Sequence, residues 1–359
     1  MNHDVILDKY GRLYQIPYEL SLLKHDVFGY CLNYRRLTNN SMPQRATGLK
    51  NDLLRWESLY AGLFGIRVPL YINRLISEFQ QQRPDAIIAS SDVLHAILAH
   101  NISRRTKVPF FLDLYDNYES FGMCKIPGLR WAYRRALRAC DGIFTVSSTL
   151  HDFISTISPN TPVHTIESTI SAGCFQPDNK LLCRQRLGLP LNAKLIGTAG
   201  ALSTNRGTEY LYDAFKVLRQ QANDVYLVLA GPTGDNPPPR DPNILYLGEL
   251  PHESIPSFFN ALDVAVICMK NDNFGKYAFP QKAYEILSCE VPVVCARIGA
   301  ISALLKEHPQ CLYEPDSSRS LAEKITLQLS NPFIPEILIP TWAQQAEKIA
   351  NTIQASIER

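Results

Sequence analysis

A lysine and a glutamate stand three residues apart in the C-terminal half, in the sequence FPQKAYE at 279–285. Pro280 suits the first turn of a helix, where its missing N–H costs nothing, and this leaves the N–H groups of Gln281 and Lys282 free for phosphate. Lys282 and Glu285 then share one helical face. This pair suits a nucleotide, with Lys282 on phosphate oxygens and Glu285 accepting ribose hydroxyls. An ordinary surface ion pair is the alternative.

A second phosphate-binding pattern lies upstream, in the loop GTAGALSTNRG at 197–207, between a predicted strand and a predicted helix. The small residues around Gly200 let a diphosphate approach the backbone, while the N-terminus of the following helix directs N–H groups and partial positive charge towards it. Arg206 adds a full charge and a forked set of donors. A glycine-rich turn with a purely structural role is the alternative.

The elements that must position these residues alternate between short apolar runs and helical patterns, which favours parallel sheets flanked by helices. Predicted strands lie at 5–7, 27–32, 86–89, 110–112 and 142–146 in the N-terminal half, and at 195–199, 225–230, 244–247, 264–267 and 291–294 in the C-terminal half. The sequence therefore predicts an α/β fold throughout.

A chain of 359 residues is long for one hydrophobic core, which predicts two domains. Prolines interrupt the pattern between 158 and 190, so we place the domain connection there. We assign 1–175 to an N-terminal Rossmann-like domain and 176–335 to a C-terminal one. Apolar residues at helical spacing predict a last helix within 336–359, which we expect to pack back on the N-terminal domain.

Composition excludes several classes of protein. A formal net charge of +2, without a basic tail, argues against a nucleic-acid partner. Nine cysteines occur singly, without zinc-binding spacing, and are expected as buried free thiols in a reducing cytoplasm. The first residues lack the features of a secretory signal, and no apolar run approaches the length of a spanning helix. These features predict a cytoplasmic, globular protein.

The pattern Phe279-Pro280-x-Lys282-x-x-Glu285, followed by VPVV at 291–294, is similar to the donor motif of family 4 retaining glycosyltransferases, in the subgroup with a Pro-x-Lys lead. The order of the neighbouring motifs is similar too, over 192–329: the Gly200 turn, LVLAGP at 227–232, LGEL at 247–250, ALDV at 261–264, IGAI at 298–301 and LYEPD at 312–316. The resemblance implies a GT-B fold, in which two Rossmann-like, doubly wound domains face a central cleft.

The resemblance also assigns roles to residues of the C-terminal half. It implies that Arg206 and Lys282 bind the donor diphosphate and that Glu285 binds the ribose. The full set of implied donor-binding residues is Gly200, Arg206, Gly231, Leu250, Pro280, Gln281, Lys282 and Glu285. Two positions depart from the family pattern: Tyr277 stands where a second glutamate is common, and Ala201 replaces a basic residue.

Candidate acceptor residues lie in the N-terminal half. Asp113, Asp116 and Glu119 follow the predicted strand 110–112, at the edge where open α/β sheets bind ligands. Asp116 is the candidate contact to the transferred sugar or the acceptor, although capping and turn formation are the ordinary roles of such acids. Gly11 and Arg12, after the first predicted strand, and His95, in a predicted helix, are further candidate acceptor contacts.

A predicted helix from Leu129 to Ala139 carries four arginines, interleaved with Trp131 and Tyr133. The helix from Arg130 to Arg138 suits peripheral contact with anionic headgroups at the inner face of a membrane, or with a lipid-linked acceptor. A solvated helix surface is the alternative.

These features predict retaining sugar transfer from a nucleoside-diphosphate sugar to a glycan, lipid-linked or small-molecule hydroxyl, in polysaccharide or glycoconjugate biosynthesis. Asp116, Arg206 and Lys282 are the candidate catalytic residues, and electrostatic stabilisation of the departing diphosphate is the expected main contribution. Because no Asp-x-Asp metal motif lies in a fitting place, we expect neither a metal nor another cofactor. A nucleotide-sugar epimerase of the same fold and a non-catalytic nucleotide-binding protein are the alternative functions.

Overall fold

The computed structural model describes residues 5, 11–33, 45–48, 51–62, 66–120 and 122–358. The chain divides into two compact units, Met1–Thr169 with Pro340–Arg359, and Ile170–Ile339. The boundaries expected at 175 and 335 thus lie a few residues from the ones observed. Of the predicted first strand only Val5 is described, and it is helical; the rest of that prediction lies outside the described residues.

The first unit contains two sheets and the helices that cover them. Its elements up to Thr165 are α1 (Arg12–Leu22), β1 (Val27–Asn33), β2 (Arg45–Gly48), β3 (Asn51–Tyr60), α2 (Val68–Gln82), β4 (Ile87–Ser90), α3 (Val93–Thr106), β5 (Phe110–Leu114), α4 (Leu129–Ala139), β6 (Gly142–Thr145), α5 (Ser148–Ile157) and β7 (Val163–Thr165). Strands β4, β5, β6 and β7 form a parallel sheet in chain order. In the second sheet, β3 pairs parallel with β1 and antiparallel with β2; the sequence patterns did not anticipate β2 and β3.

The second unit is built on one parallel, six-stranded sheet. Its elements are α6 (Lys180–Arg186), β8 (Lys194–Ala199), α7 (Thr208–Gln221), β9 (Val225–Ala230), β10 (Ile244–Tyr246), α8 (Ile255–Ala261), β11 (Val264–Ile267), α9 (Asn273–Tyr277), α10 (Lys282–Ser288), β12 (Val293–Ala296), α11 (Gly299–Leu304), β13 (Leu312–Tyr313) and α12 (Ser318–Ser330). The strand order is β10-β9-β8-β11-β12-β13, which is the doubly wound order. The order reverses between β8 and β11, so the carboxyl ends of these two strands mark the position where such sheets bind ligands.

The central strands of this sheet are buried on both faces, as a parallel sheet covered by helices requires. Strand β11 is fully buried, and every residue of β8 after Lys194 is buried. Side chains from β8, β9, β11 and β12 join those of the covering helices in one hydrophobic core. The backbone that leaves these strands is therefore held rigidly where the candidate donor residues begin.

The last helix, α13 (Trp342–Ile357), belongs to the first unit. It begins with a capping box, in which Thr341 and Gln344 satisfy each other's backbone N–H groups. Trp342, Ala346 and Ile349 are buried in a core that includes Ile16 of α1 and aromatic side chains of β5 and β6. Among the described helices, no helix is long and apolar enough to cross a membrane.

The contact of α13 with the first unit leads to a stability prediction. Trp342 is 4% exposed, so Trp342→Ala removes a buried indole and is expected to lower the free energy of unfolding of the first unit by about 3–5 kcal/mol. Urea denaturation followed by circular dichroism measures the loss. Ile357→Ala, at the exposed end of the same helix, is the control and should cost less than about 0.5 kcal/mol. Equal losses in the two variants would contradict the packing role of Trp342.

Candidate functional site

Two glycine turns meet at the carboxyl ends of β8 and β9. Gly200 and Gly231 adopt positive φ angles of 120° and 124°, which only glycine reaches without strain. A Cβ atom on Gly231 would lie 2.2 Å from the carbonyl oxygen of Gly200. Both positions therefore require glycine, the first for its backbone angle and the second also for the close approach of the two turns.

The ammonium group of Lys282 rests against the Gly200 turn. Its Nζ donates a hydrogen bond of 2.7 Å to the carbonyl oxygen of Ala199, the last residue of β8. A Cβ atom on Gly200 would lie 2.9 Å from Nζ, so the glycine makes room for the lysine as well. Burial lowers the pKa of Lys282 to about 8, and the positive charge of Arg206 lowers it in the same direction.

Glu285 lies one turn further along α10, on the same face as Lys282. Burial raises the pKa of its carboxyl to about 7, against the opposing effect of the Lys282 charge. Among the residues that the structure describes, no salt bridge joins Lys282 to Glu285. The simple surface ion pair is therefore not formed between these two groups.

Pro280 and Gln281 lead into α10. The helix begins at Lys282, so Pro280 lies just before its first turn and not within it, and its carbonyl accepts a hydrogen bond of 2.8 Å from the N–H of Ala283. The N–H groups of Gln281 and Lys282 lie at the start of the helix, where no earlier helical carbonyl can accept hydrogen bonds from them. Phe279 packs on Tyr284 with ring centroids 5.0 Å apart, which fixes the approach to the helix.

Arg206 ends a short 3-10 turn, Thr204–Arg206, in the loop after β8. Its guanidinium carbon lies 4.3 Å from the ring centroid of Phe274 in α9, a cation–π contact that orients the side chain. Thr204 fixes the other side of the loop, because its N–H donates a hydrogen bond of 2.9 Å to the carboxylate of Asp235. The motif pattern predicts Arg206, whereas no pattern in the sequence marks Phe274 or Asp235.

The loops after β9 and β10 join the same site. The N–H of Gly231 donates to the carbonyl of Gly248 over 2.7 Å, and the Tyr246 hydroxyl donates to the carbonyl of Gly231 over 2.8 Å. Leu250 is partly buried and packs against the core of the second unit. Gly231 thus lies beside Gly200, and Leu250 follows two residues after Gly248, the residue that Gly231 contacts.

A further ion pair stands at the reversal of strand order. Lys270, which follows β11, lies 2.8 Å from the carboxylate of Glu209 in the first turn of α7. A Cβ atom on Gly207 would lie 3.6 Å from the backbone nitrogen of Lys270, so the loop after β8 packs on the exit of β11. No sequence pattern predicts this pair, because only the strand order brings the two loops together.

In the first unit, Arg12 has a different role from the predicted acceptor contact. Its Nε donates to Asp113 over 3.0 Å, and the two residues are only 6% and 2% exposed. The Ser90 hydroxyl donates to the same carboxylate over 3.0 Å. Because Arg12 and Asp113 neutralise each other inside the unit, Arg12 is not available to offset the charge of an acceptor. Gly11 begins α1 with a φ of 74°, so its glycine serves the entry of that helix.

The remaining acceptor candidates lie at the carboxyl ends of β4 and β5. Asp116 is 6% exposed, and its carboxylate accepts a hydrogen bond of 2.8 Å from the N–H of Asn117. His95 is partly buried, and its Nδ1 lies 2.8 Å from the carboxylate of Asp92, which also caps α3. The hydroxyls of Ser91 and Tyr115 are 3.3 Å apart at the same edge, a contact that the sequence analysis missed.

Glu119 is withdrawn from this edge by the basic helix. Arg130 and Arg134 of α4 lie 2.9 Å and 2.7 Å from its carboxylate, which is 6% exposed. These arginines hold the pKa of Glu119 below its usual value, although burial acts in the opposite direction. Glu119 therefore anchors α4 and does not stand beside Asp116 as a second acid for an acceptor.

Comparisons with known proteins cover both units. The family model described as "Glycosyl transferase 4-like domain" matches residues 14–168, and the model described as "Glycosyl transferases group 1" matches residues 193–331. A putative teichuronic acid biosynthesis glycosyltransferase of Bacillus subtilis, TuaC, is 25% identical over 280 residues, which cover 77% of this chain and 67% of that protein.

Solved structures with the same fold are similar over most of the chain. Sucrose-phosphate synthase from Thermosynechococcus elongatus superposes with a TM-score of 0.70 at 16% identity, covering 96% of this chain and 88% of that one. HepE of Anabaena, solved in complex with UDP, superposes with a TM-score of 0.64 at 17% identity, covering 84% of each chain. At these identities the similarity identifies the fold. Since the two family models together span most of both units, the chain belongs to the group 1 glycosyltransferases, with a family 4-like N-terminal domain and the GT-B fold.

Proposed function

We propose that the chain transfers a sugar, with retention of anomeric configuration, from a nucleoside-diphosphate sugar to a hydroxyl of a glycan, lipid-linked or small-molecule acceptor. The observation that carries the proposal is the ammonium of Lys282, held on the Gly200 turn with Arg206 nearby, at the reversal of strand order. The name of TuaC, a relative in teichuronic acid biosynthesis, supports a role in polysaccharide or glycoconjugate assembly. The complex of HepE with UDP supports a nucleotide as part of the donor.

The donor diphosphate binds where positive charge is already concentrated. Lys282 and Arg206 supply two cations, and the small side chain of Gly200 lets phosphate oxygens approach the backbone. Without ligand, burial lowers the pKa of Lys282, and repulsion from the positive charge of Arg206 lowers it further. A bound diphosphate relieves this repulsion, so the same charges that are unfavourable in the free protein favour the complex.

The nucleoside lies beside this diphosphate position. Ionised Glu285 accepts hydrogen bonds from the ribose hydroxyls, and the turns at Gly231 and Leu250 flank the base. Pro280 and Gln281 present the N–H groups at the entry of α10 to the phosphate. We infer these roles from the family motif, at the positions where this chain matches it.

Transfer depends on stabilising the departing nucleoside diphosphate. The Ala199 carbonyl fixes Lys282 before the reaction, and the ring of Phe274 fixes Arg206. The negative charge that develops on the departing diphosphate is therefore stabilised by cations that need not move during the reaction. The acceptor oxygen attacks from the face that the diphosphate leaves, which retains the anomeric configuration. Because side-chain cations neutralise the leaving group, we propose that the reaction needs no metal ion. In the first unit, Asp116 contacts the sugar or the acceptor, with His95 and Gly11 at the acceptor side.

Nucleotide binding tests the donor site directly. A panel of UDP, GDP, ADP, CMP and dTDP should contain a ligand that raises the unfolding temperature, since a ligand at ~100 times its dissociation constant adds about 2.7 kcal/mol of stability. Lys282→Met and Arg206→Met should abolish the shift, whereas Lys216→Met, at an exposed lysine of α7, should keep it. A response to none of the five nucleotides, or full responses in both site variants, would overturn the assignment.

Without ligand, Lys282→Met also tests whether the charge of Lys282 raises or lowers the stability of the protein. Because the folded-state pKa of Lys282 lies near 8, below its usual 10.5, the unfolded state binds more protons between these pH values, and stability rises with pH across that window. Below pH 8 the buried charge therefore costs stability. Lys282→Met should unfold at the same or a higher temperature than the wild type at pH 7.5, which separates loss of binding from misfolding.

The pH dependence of nucleotide affinity follows from the same lysine. Lys282 loses its proton as the pH rises through about 8, so the affinity of the free protein for the diphosphate should then fall by up to about tenfold per pH unit. The nucleotide's own phosphate charge is constant in this range, because its last pKa lies near 6. Isothermal titration from pH 7 to 9.5 measures the decline. Lys282→Arg stays charged and should show no decline; a flat wild-type profile would exclude this role for Lys282.

Product stereochemistry tests the reaction itself. We expect proton NMR of the product to show the anomeric configuration of the donor sugar, and we expect transfer to continue in EDTA. Incubation with the donor alone is the control, because isomerised sugar nucleotide formed without an acceptor would identify an epimerase. Inversion at the anomeric carbon would contradict the retaining mechanism, and loss of activity in EDTA that added metal restores would contradict metal independence.

A further inference from the structure

A strongly basic surface lies on α4 of the first unit, and none of its residues belongs to the candidate donor set. Between positions 120 and 140 the sequence contains five basic residues and no acid. We call six exposed residues of this segment the basic patch: Lys125, Ile126, Arg130, Trp131, Arg135 and Arg138. Trp131 is 67% exposed and Ile126 is 42% exposed, so the patch is apolar as well as charged.

The opposite side of α4 fixes the patch to the first unit. Tyr133, Ala136 and Leu137 are buried beneath the helix. Glu119 holds the N-terminal half of α4 through Arg130 and Arg134. The patch is therefore presented on a rigid helix, and its arrangement does not depend on ordering a loop.

The C-terminal part of the patch forms a shallow depression of about 380 Å³, lined by Trp131, Arg135, Arg138 and Ala139. The guanidinium carbon of Arg135 lies 5.5 Å from the ring centroid of Trp131, and Arg138 donates one hydrogen bond, of 3.3 Å, to the carbonyl of Ile157. In contrast to Arg134, these two arginines have no carboxylate partner among the described residues. Both arginines are exposed and line the depression together with the indole ring.

This combination matches the chemistry of a membrane surface. Tryptophan is enriched at the level of lipid headgroups, where its ring is partly in an apolar environment. Arginine forks match phosphate oxygens, and basic residues close to an anionic bilayer each favour binding. A bilayer interface thus offers partners to both kinds of residue. It supplies an apolar environment for the exposed indole ring and phosphate oxygens for arginines that have no carboxylate partner in the described part of the chain.

We propose that the basic patch docks the protein on the surface of an anionic phospholipid bilayer, with Trp131 at headgroup depth and Arg135 and Arg138 on lipid phosphates. The proposal goes beyond sugar transfer and does not rest on it, because none of these residues belongs to the donor site. Docking of this kind would hold the enzyme beside acceptors that are carried in a membrane.

Sedimentation with vesicles tests the proposal on the full chain. The protein should bind vesicles that contain about one third phosphatidylglycerol in phosphatidylcholine, and should not bind phosphatidylcholine alone. Binding should be lost when NaCl rises from about 0.1 M to about 1 M, since the screening length falls from about 10 Å to about 3 Å. Equal binding to both kinds of vesicle, or no binding to either, would overturn the proposal.

Charge-reversal variants locate the binding surface. Arg135→Glu with Arg138→Glu should weaken partition onto the anionic vesicles by more than about tenfold. Lys216→Glu with Arg319→Glu makes the same change in net charge at exposed positions of the second unit and should leave partition within about twofold of the wild type. If the two double variants lost binding equally, overall charge and not the patch would be responsible. The unfolding temperature, followed by circular dichroism, serves as the folding control and should stay close to that of the wild type in both.

Tryptophan fluorescence provides a second readout. Of the three tryptophans, Trp56 and Trp342 are 8% and 4% exposed, so a change in the surroundings of Trp131 dominates the response. Anionic vesicles should shift the emission to shorter wavelength, and Trp131→Phe should remove the shift. An oligonucleotide or heparin serves as a competitor. If the competitor displaced the protein from vesicles, and the emission of Trp131 shifted neither on vesicles nor with the competitor, the patch would be a general polyanion site. The proposal would then fail.

Discussion

The hydrogen bond from Lys282 to the carbonyl of Ala199 is the interaction on which the donor site depends. It ties the first turn of α10 to the end of β8, two elements more than eighty positions apart, across the point where strand order reverses. Residue 200 requires glycine for its positive backbone angle, and the missing side chain also leaves space for the ammonium group. Gly231 is constrained in turn by the carbonyl of Gly200. The two glycine turns and the lysine thus bring the ends of β8 and β9 and the first turn of α10 together at one place.

The charges of the site are unfavourable in the free protein, and this shifts the pKa values of its two ionisable groups in opposite directions. The pKa of Lys282 is lowered to about 8 and that of Glu285 is raised to about 7, in both cases chiefly because burial disfavours the charged form. For Glu285 the folded state binds more protons between pH 4.5 and 7, so stability falls as the pH rises through that window. Near neutral pH both groups therefore act against folding. The buried core around β8 and β11 supplies the stability that keeps them in place, as is common where a protein holds charges for a ligand.

Sequence patterns sufficed for the α/β class, for most strands of the second unit and for the shared face of Lys282 and Glu285, because these features depend on short-range periodicity. They did not reveal the Lys270–Glu209 pair, which needs the order of the strands and not only their positions. The cation–π contact of Arg206 with Phe274 escaped for the same reason, since these residues are far apart in the chain. Strands β2 and β3 were missed because β3 buries Leu54, Trp56, Glu57 and Leu59, which is not a simple alternation.

The acceptor side shows why residue type alone could not assign a role there. Arg12 and Asp113 each follow a predicted strand and looked like ligand-binding groups, yet they are 101 positions apart and neutralise each other inside the first unit. Arg134 is engaged with Glu119 in the same way. A guanidinium that has a buried carboxylate partner stabilises the fold, and removing that partner would leave an uncompensated charge. Arg135 is the next residue of the helix, so it lies on a different, exposed face, where it contacts the indole ring of Trp131. The distinction between a structural arginine and one that can bind an external anion is therefore a matter of helical phase and burial, which the three-dimensional structure supplies and composition does not.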